Sequence, residues 1–293
     1  MDIIALLIGL GPLLGWGLFP TIASKFGGRP VNQIFGATVG TLIFAIILAV
    51  VKGIGIPGGM ALIFSIISGA GWAFGQIITF KAFGLVGSSR AMPITTAFQL
   101  LGASLWGVFA LGNWPGIANK MIGFVALIVI LVGAQMTVWS EKSEQEYSQN
   151  LRKAVVLLLI GEIGYWVYSA APQATDIGGL KAFLPQAIGM VIVAVIYALM
   201  NMNKGNAFKE AVSWKQIISG FFFAFAALTY LISAQPNMNG LATGFVLSQT
   251  SVVLATLTGI FFLNQKKTPK ELMITIVGLV LILIAASVTV FIK

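Results

Sequence analysis

The sequence reads as an all-α membrane protein, with ten transmembrane helices in two inverted five-helix repeats. Three observations carry that reading. Of the 293 residues, 58% are hydrophobic and only 9% are charged. A soluble domain usually carries about 25% charged residues, so this chain could not cover a water-facing surface. Apolar runs long enough to cross a bilayer, which takes about 20 residues, follow one another along the whole chain. The two halves also match across a polar stretch near the middle.

The apolar runs fall at 3–20, 31–51, 58–80, 91–112, 119–139, 154–171, 181–200, 216–235, 240–263 and 271–292. Most joints between them are short and marked by Gly, Pro, Asn or Lys, residues that end helices or turn the chain. The first run starts at Met1-Asp2-Ile3-Ile4, with neither a basic leader nor a small-residue cleavage site, and reads as a retained helix. The longest polar stretch, with Glu141, Lys142, Glu144, Glu146, Arg152 and Lys153, divides the chain. It gives a first repeat over 1–140, a linker over 141–153 and a second repeat over 154–293.

A shift of 152 residues lays Leu7-Ile8-Gly9 on Leu159-Ile160-Gly161, Pro20 on Pro172 and Gly27 on Gly179. The same shift lays Gly107, Phe109 and Leu111 on Gly259, Phe261 and Leu263. One residue more aligns Gln33 and Gly36 with Gln186 and Gly189. Apolar helices resemble one another by composition, but a nearly constant offset over several of them argues for duplication. Five crossings per half is an odd number, so the second half must enter the membrane in the opposite sense. Inverted repeats of this kind enclose a midplane site in many secondary transporters.

Charge sets the orientation. Thirteen of the 17 Lys and Arg residues, from Lys25 and Arg29 to Lys266, Lys267 and Lys270, fall on one side. The other side has Lys52, Lys120, Lys181 and Lys293. The positive-inside rule places the first set in the cytoplasm and both termini outside. The formal charge of +9 is therefore assigned to topology, and no nucleic-acid partner is expected.

The polar residues inside the runs mark a possible cavity. The runs at 119–139 and 271–292 are almost wholly aliphatic and read as lipid-facing scaffold. Elsewhere, helical spacing sorts polar side chains onto faces. Glu162, Tyr165, Trp166 and Ser169 recur at i, i+3, i+4 and i+7. Trp72 and Gln76 share a face, as do Thr95, Gln99 and Trp106, and as do Gln249 and Thr256; Tyr230 stands in the run at 216–235. Amides can bind hydroxyls as donor and as acceptor, and rings can pack on the apolar face of a sugar, so the set suits a neutral polyol. The same residues could instead only join helices. Trp114 and Trp139, near run ends, read as interface-belt residues.

Glu162 is the acid expected at mid-membrane depth, where an ionised carboxylate costs about 2.5–3.5 kcal/mol on insertion scales. The chain has no His and no Cys, so Glu162 is the first candidate for a proton-coupling group. Asp176 is a candidate gate or cap. Pro12 and Pro93 interrupt helix hydrogen bonding and are candidate hinges. Gly-x-x-x-Gly occurs at Gly11/Gly15, Gly36/Gly40, Gly71/Gly75 and Gly240/Gly244, where close helix packing is expected. No phosphate loop, nucleophile–base pair or metal-ligand cluster appears, so an enzyme, a metal site and a cofactor are not expected.

Two stretches carry a family resemblance. Gly11-Pro12-Leu13-Leu14-Gly15-Trp16-Gly17-Leu18-Phe19-Pro20, followed by Lys25 and Gly27-Gly28, is one; Arg90-Ala91-Met92-Pro93-Ile94-Thr95-Thr96-Ala97-Phe98-Gln99-Leu100 is the other. Both resemble the glucose/ribose porter family of bacterial sugar-uptake proteins, within the drug/metabolite transporter superfamily. The resemblance spans the chain. It implies a ten-helix fold of two inverted halves, a cavity between them, and proton-linked uptake of glucose or ribose across the plasma membrane. Superfamily members are often described with cytoplasmic termini; the charge count here favours the opposite, and it is the one we adopt. The expected partners are a sugar, protons and the bilayer, with the chain a monomer or homodimer. An exporter of amino acids or drug-like metabolites, or a passive sugar facilitator, are the alternatives.

Overall fold

The computed structural model describes residues 3–110, 112, 114–141, 145–175, 177–233 and 237–292, apart from the side chains of 110, 173, 240–243 and 246. Among these residues there is no strand, and nine helices are long and apolar enough to cross a membrane. They are α1 (Ile3–Phe26), α2 (Pro30–Lys52), α3 (Gly59–Val86), α4 (Ser88–Ala110), α5 (Ile117–Val138), α6 (Gln145–Ala170), α7 (Gly179–Met200), α8 (Ala211–Ser233) and α11 (Pro269–Phe291). The run expected at 240–263 is instead split into α9 (Gly240–Gln249) and α10 (Ser251–Phe262).

The split has a local cause. The Ser248 and Thr250 hydroxyls donate to the carbonyls of Phe245 and Leu247, three residues back, and the Thr250 amide also turns to Leu247. Such bonds draw carbonyls away from the i to i+4 ladder. A similar break at Leu10 divides α1, and Pro12 starts its second part. Pro93 stands inside α4. The linker expected over 141–153 is helical from Gln145 on, so α6 starts nine residues earlier than the apolar run does. Its first turns are polar and project beyond the apolar part.

Helix packing follows a regular pattern. α3 packs along α6 and α7, and α8 packs along α1 and α2. α4 packs on α6 while α10 packs on α1; α2 meets α7, α4 meets α10, and α5 meets α11. Small residues set the closest approaches. A Cβ added at Gly71 would lie 2.6 Å from the Gly164 carbonyl oxygen, and one at Gly75 would lie 2.8 Å from that of Gly161. Only hydrogen fits there, which is the close packing expected of Gly71/Gly75. The aliphatic pair α5 and α11 stands to one side, joined through Leu127, Ile130 and Ile282. Trp114 belongs to that joint: it is 4% exposed and its indole N–H donates to the Thr289 carbonyl at 3.0 Å. It is a packing residue, contrary to the belt position expected of it; proximity to a run end does not distinguish the two.

Candidate functional site

A cavity of about 650 Å³ lies among α1, α3, α4, α6, α8 and the α9–α10 break. Each helix supplies residues at helical spacing. α3 gives Trp72, Gln76 and Thr79; α4 gives Thr95, Gln99, Gly102 and Trp106; α6 gives Glu162, Tyr165, Trp166 and Ser169. Trp16 and Phe19 come from α1, Phe223 and Tyr230 from α8, and Ser248, Gln249 and Ser251 from the break. Of the residues expected on the wall, Gln76, Gln99, Gln249, Tyr230, Trp72, Trp106, Trp166, Tyr165, Thr95 and Glu162 are all there. Thr256 is not. It is fully buried in α10, seven residues past Gln249, and the break rotates the two off a common face. Pro12 and Pro93 also lie off the wall, and Asp176 lies outside the described residues.

Hydrogen bonds join neighbouring side chains of the wall. The Tyr165 hydroxyl donates to Gln76 Oε1 at 3.0 Å and lies 2.9 Å from the Thr79 hydroxyl. Gln99 donates to the Thr95 hydroxyl at 3.4 Å, and Gln249 to the Ser248 hydroxyl at 3.2 Å. Glu162 is 4% exposed, and among the described residues neither carboxyl oxygen has a hydrogen-bond partner of ordinary geometry; the Trp166 indole, one turn on, is near enough to interact. The Trp16 indole nitrogen is also buried, with no partner among the described residues. Sequence spacing pointed to the amides and to Glu162. It missed Trp16, Phe19 and Phe223, which look like ordinary apolar helix residues until the helices are placed together.

The cavity is asymmetric along the helix axes. Its wall runs to the ends of α4 and α6, where Trp106 (51%) and Trp166 (47%) are exposed, closer to the rim than their sequence positions suggested. Gly102 makes room for the Trp166 indole, since any Cβ there would collide with its nitrogen. At the other end the cavity is closed by rings. The Trp72 and Phe223 centroids are 4.1 Å apart, and Phe19 lies 5.8 Å from Phe223 and 5.9 Å from Phe80. Beyond the rings, Thr21 and Thr258 share a hydrogen bond of 2.6 Å, and the Ser89 amide donates to Gln265 at 2.8 Å. Farther out, Glu210 accepts from Arg29 at 2.6 Å and from Asn32 at 2.7 Å. The bonds from Asn32 and Arg29 hold the Glu210 carboxyl below its usual range.

Residues 7–292 match the family model described as sugar transport protein. The chain belongs to the sugar transport protein family. A relative from Staphylococcus epidermidis, provisionally named ribose uptake protein RbsU, is 89% identical over 293 residues, covering all of both chains. One from Staphylococcus aureus with the same provisional name is 78% identical, again over the full length of both. A protein known from a crystal structure has the same fold, with a TM-score of 0.63, 18% identity and 99% of each chain covered. The family bears out the resemblance read from Gly11–Pro20 and Arg90–Leu100. The polar wall described above is thus the central cavity of a sugar transport family member.

Proposed function

We propose that this chain is a secondary-active importer of a monosaccharide, ribose or glucose, that carries its substrate with protons by alternating access across the plasma membrane. The observation that carries the reading is a cavity whose amides, hydroxyls and rings match a polyol, in a chain 78–89% identical to relatives provisionally named for ribose uptake. Ribose is accordingly the first substrate to test. Amides donate to and accept from sugar hydroxyls, and Trp72, Trp106 or Trp166 offers a face for the C–H surface of the ring.

The fold is read as ten crossings, with α9 and α10 together forming the ninth, and as two inverted halves, α1–α5 and α6–α11. The packing pattern supports this. Exchanging α1 with α6, α2 with α7, α3 with α8, α4 with α9–α10 and α5 with α11 maps the packed pairs onto one another. Broken helices at a midplane cavity are a recurrent feature of inverted-repeat transporters. With the charge-rich ends in the cytoplasm, the rings of Phe19, Trp72, Phe80 and Phe223 close the inner side, and the cavity faces outward with both termini outside.

Glu162 is the proton-coupling group in this reading. A carboxyl buried in the wall without a strong partner is stable when neutral; in the outward-facing state it takes a proton, and sugar binding completes the neutral wall. Once the inner rings part, cytoplasmic water favours release of both. The test is uptake of labelled ribose and of glucose into proteoliposomes, with and without an inward proton gradient. Accumulation above equilibrium that collapses with the gradient supports the symporter. Counterflow without accumulation points to a passive facilitator, and transport of neither sugar sinks the reading.

A further inference from the structure

We infer that Tyr165 is a positioning residue that turns Gln76 into a fixed hydrogen-bond donor toward the substrate. The inference rests on the sugar-importer reading and deepens it. The Tyr165 hydroxyl has one hydrogen, and Gln76 Oε1 accepts it at 3.0 Å. The 2.9 Å contact between the Tyr165 and Thr79 hydroxyls then takes its hydrogen from Thr79. The Thr79 hydroxyl also lies 3.0 Å from the Gly75 carbonyl, so it has an acceptor in either rotamer.

With the Thr79 hydrogen turned to it in place of the Gly75 carbonyl, Tyr165 is satisfied as donor and as acceptor, and it is 6% exposed. Little is left of it for a ligand, although spacing alone placed it with the binding residues. Gln76 is different. Its oxygen is engaged, while its amide nitrogen, which no described residue accepts from, belongs to a side chain on the cavity wall. A free glutamine can flip and offer either end. Held by Tyr165, it offers N–H alone. Gln99 and Gln249 donate to Thr95 and Ser248, which leaves their oxygens as acceptors. The wall so presents a donor from α3 together with acceptors from α4 and the α9–α10 break. A hydroxyl-bearing ring that spans them is bound in one orientation.

A double-mutant cycle on ribose uptake tests the link. Loss of one neutral hydrogen bond to a ligand corresponds to about a 5- to 10-fold rise in KM. Gln76→Ala should raise KM by about that much. Tyr165→Phe should raise it by a smaller factor with the maximal rate within about twofold, because the amide then samples both orientations. The pair together should be no worse than Gln76→Ala alone. Gln76→Glu, whose carboxylate still accepts from Tyr165 but offers no N–H, should behave like Gln76→Ala. Independent, multiplying effects on KM, or an unchanged KM in Tyr165→Phe, overturn the inference.

Thermal unfolding of the same four proteins without sugar reads the Tyr165–Gln76 bond by itself. Additive shifts there also overturn the inference. Wild-type protein that carries neither ribose nor glucose would instead sink the importer reading, and the unfolding cycle would still decide whether the bond exists.

Discussion

Glu162 lies within α6 and Glu210 immediately before α8, and their surroundings set the two acids apart. Glu162 is buried in the cavity wall, and among the described residues its carboxyl oxygens have no hydrogen-bond partner, so replacing the carboxyl by an amide costs the fold little. Glu162→Gln keeps the shape and abolishes proton exchange. We expect it to eliminate accumulation of ribose against a gradient while counterflow persists at a measurable rate, read in the same proteoliposomes. Unchanged pH-driven uptake would remove Glu162 from the coupling step. Glu210 is bonded by Asn32 and Arg29, which favours the charged form. A carboxyl depressed in the folded state adds stability above its unfolded pKa and loses it as pH falls through the folded one. Wild-type protein should therefore lose thermal stability faster than Glu210→Gln on going from about pH 5 to about pH 3. Because the Glu210 side chain keeps about 33% of its surface in water, the difference should be small, and equal losses in the two proteins would show that the bonds are immaterial.

At the scale of the element, much was legible because the sequence signal and the physical constraint coincide. Long apolar runs must become helices in lipid, since every backbone group has to be satisfied within the segment. The pairs Gly11/Gly15, Gly36/Gly40 and Gly71/Gly75 marked close packing because nothing larger fits there, while the surroundings of Gly240, in the fourth pair, lie outside the described residues. Gly36 illustrates the constraint: a Cβ there would strike the Ser213 carbonyl oxygen and the Gln216 side chain of α8. Gly36→Val should force α2 and α8 apart and cost on the order of 1–3 kcal/mol, as overpacking does. A lowered melting temperature in detergent, with less folded protein recovered, is the expected reading; a variant as stable as wild type would mean that the interface yields. The features that escaped the sequence are those set between elements. The break at Thr250 depends on which carbonyls the Ser248 and Thr250 hydroxyls reach, and apolar periodicity is blind to that. Thr256 left the site for the same reason. The polar start of α6 is rich in charge like a linker, and its helical continuity with the apolar run carries no apolar signal.

For the molecule as a whole, the cavity was visible in outline from the sequence, as amides, rings and one acid at helical spacing on several helices. Its closed end was not, because Phe19, Phe80 and Phe223 differ from lipid-facing phenylalanines only in what they meet across the bundle. The outward-facing reading joins this closed end to the charge-based topology, and single cysteines can test both together. The natural chain has no cysteine, so each introduced thiol reports alone. Gln99 lines the cavity, whereas Ser89 lies past the rings, fully buried against the α10 end and Gln265. In right-side-out vesicles, a membrane-impermeant thiol reagent added outside should modify Gln99→Cys, and saturating ribose should slow the reaction. Ser89→Cys should resist the reagent from outside and become reactive from the cytoplasmic side as the carrier turns over. If the reagent reaches Ser89→Cys from outside and Gln99→Cys only from within, the topology is reversed. If both react equally from one side, the rings do not form a barrier, and alternating access through this cavity has to be abandoned.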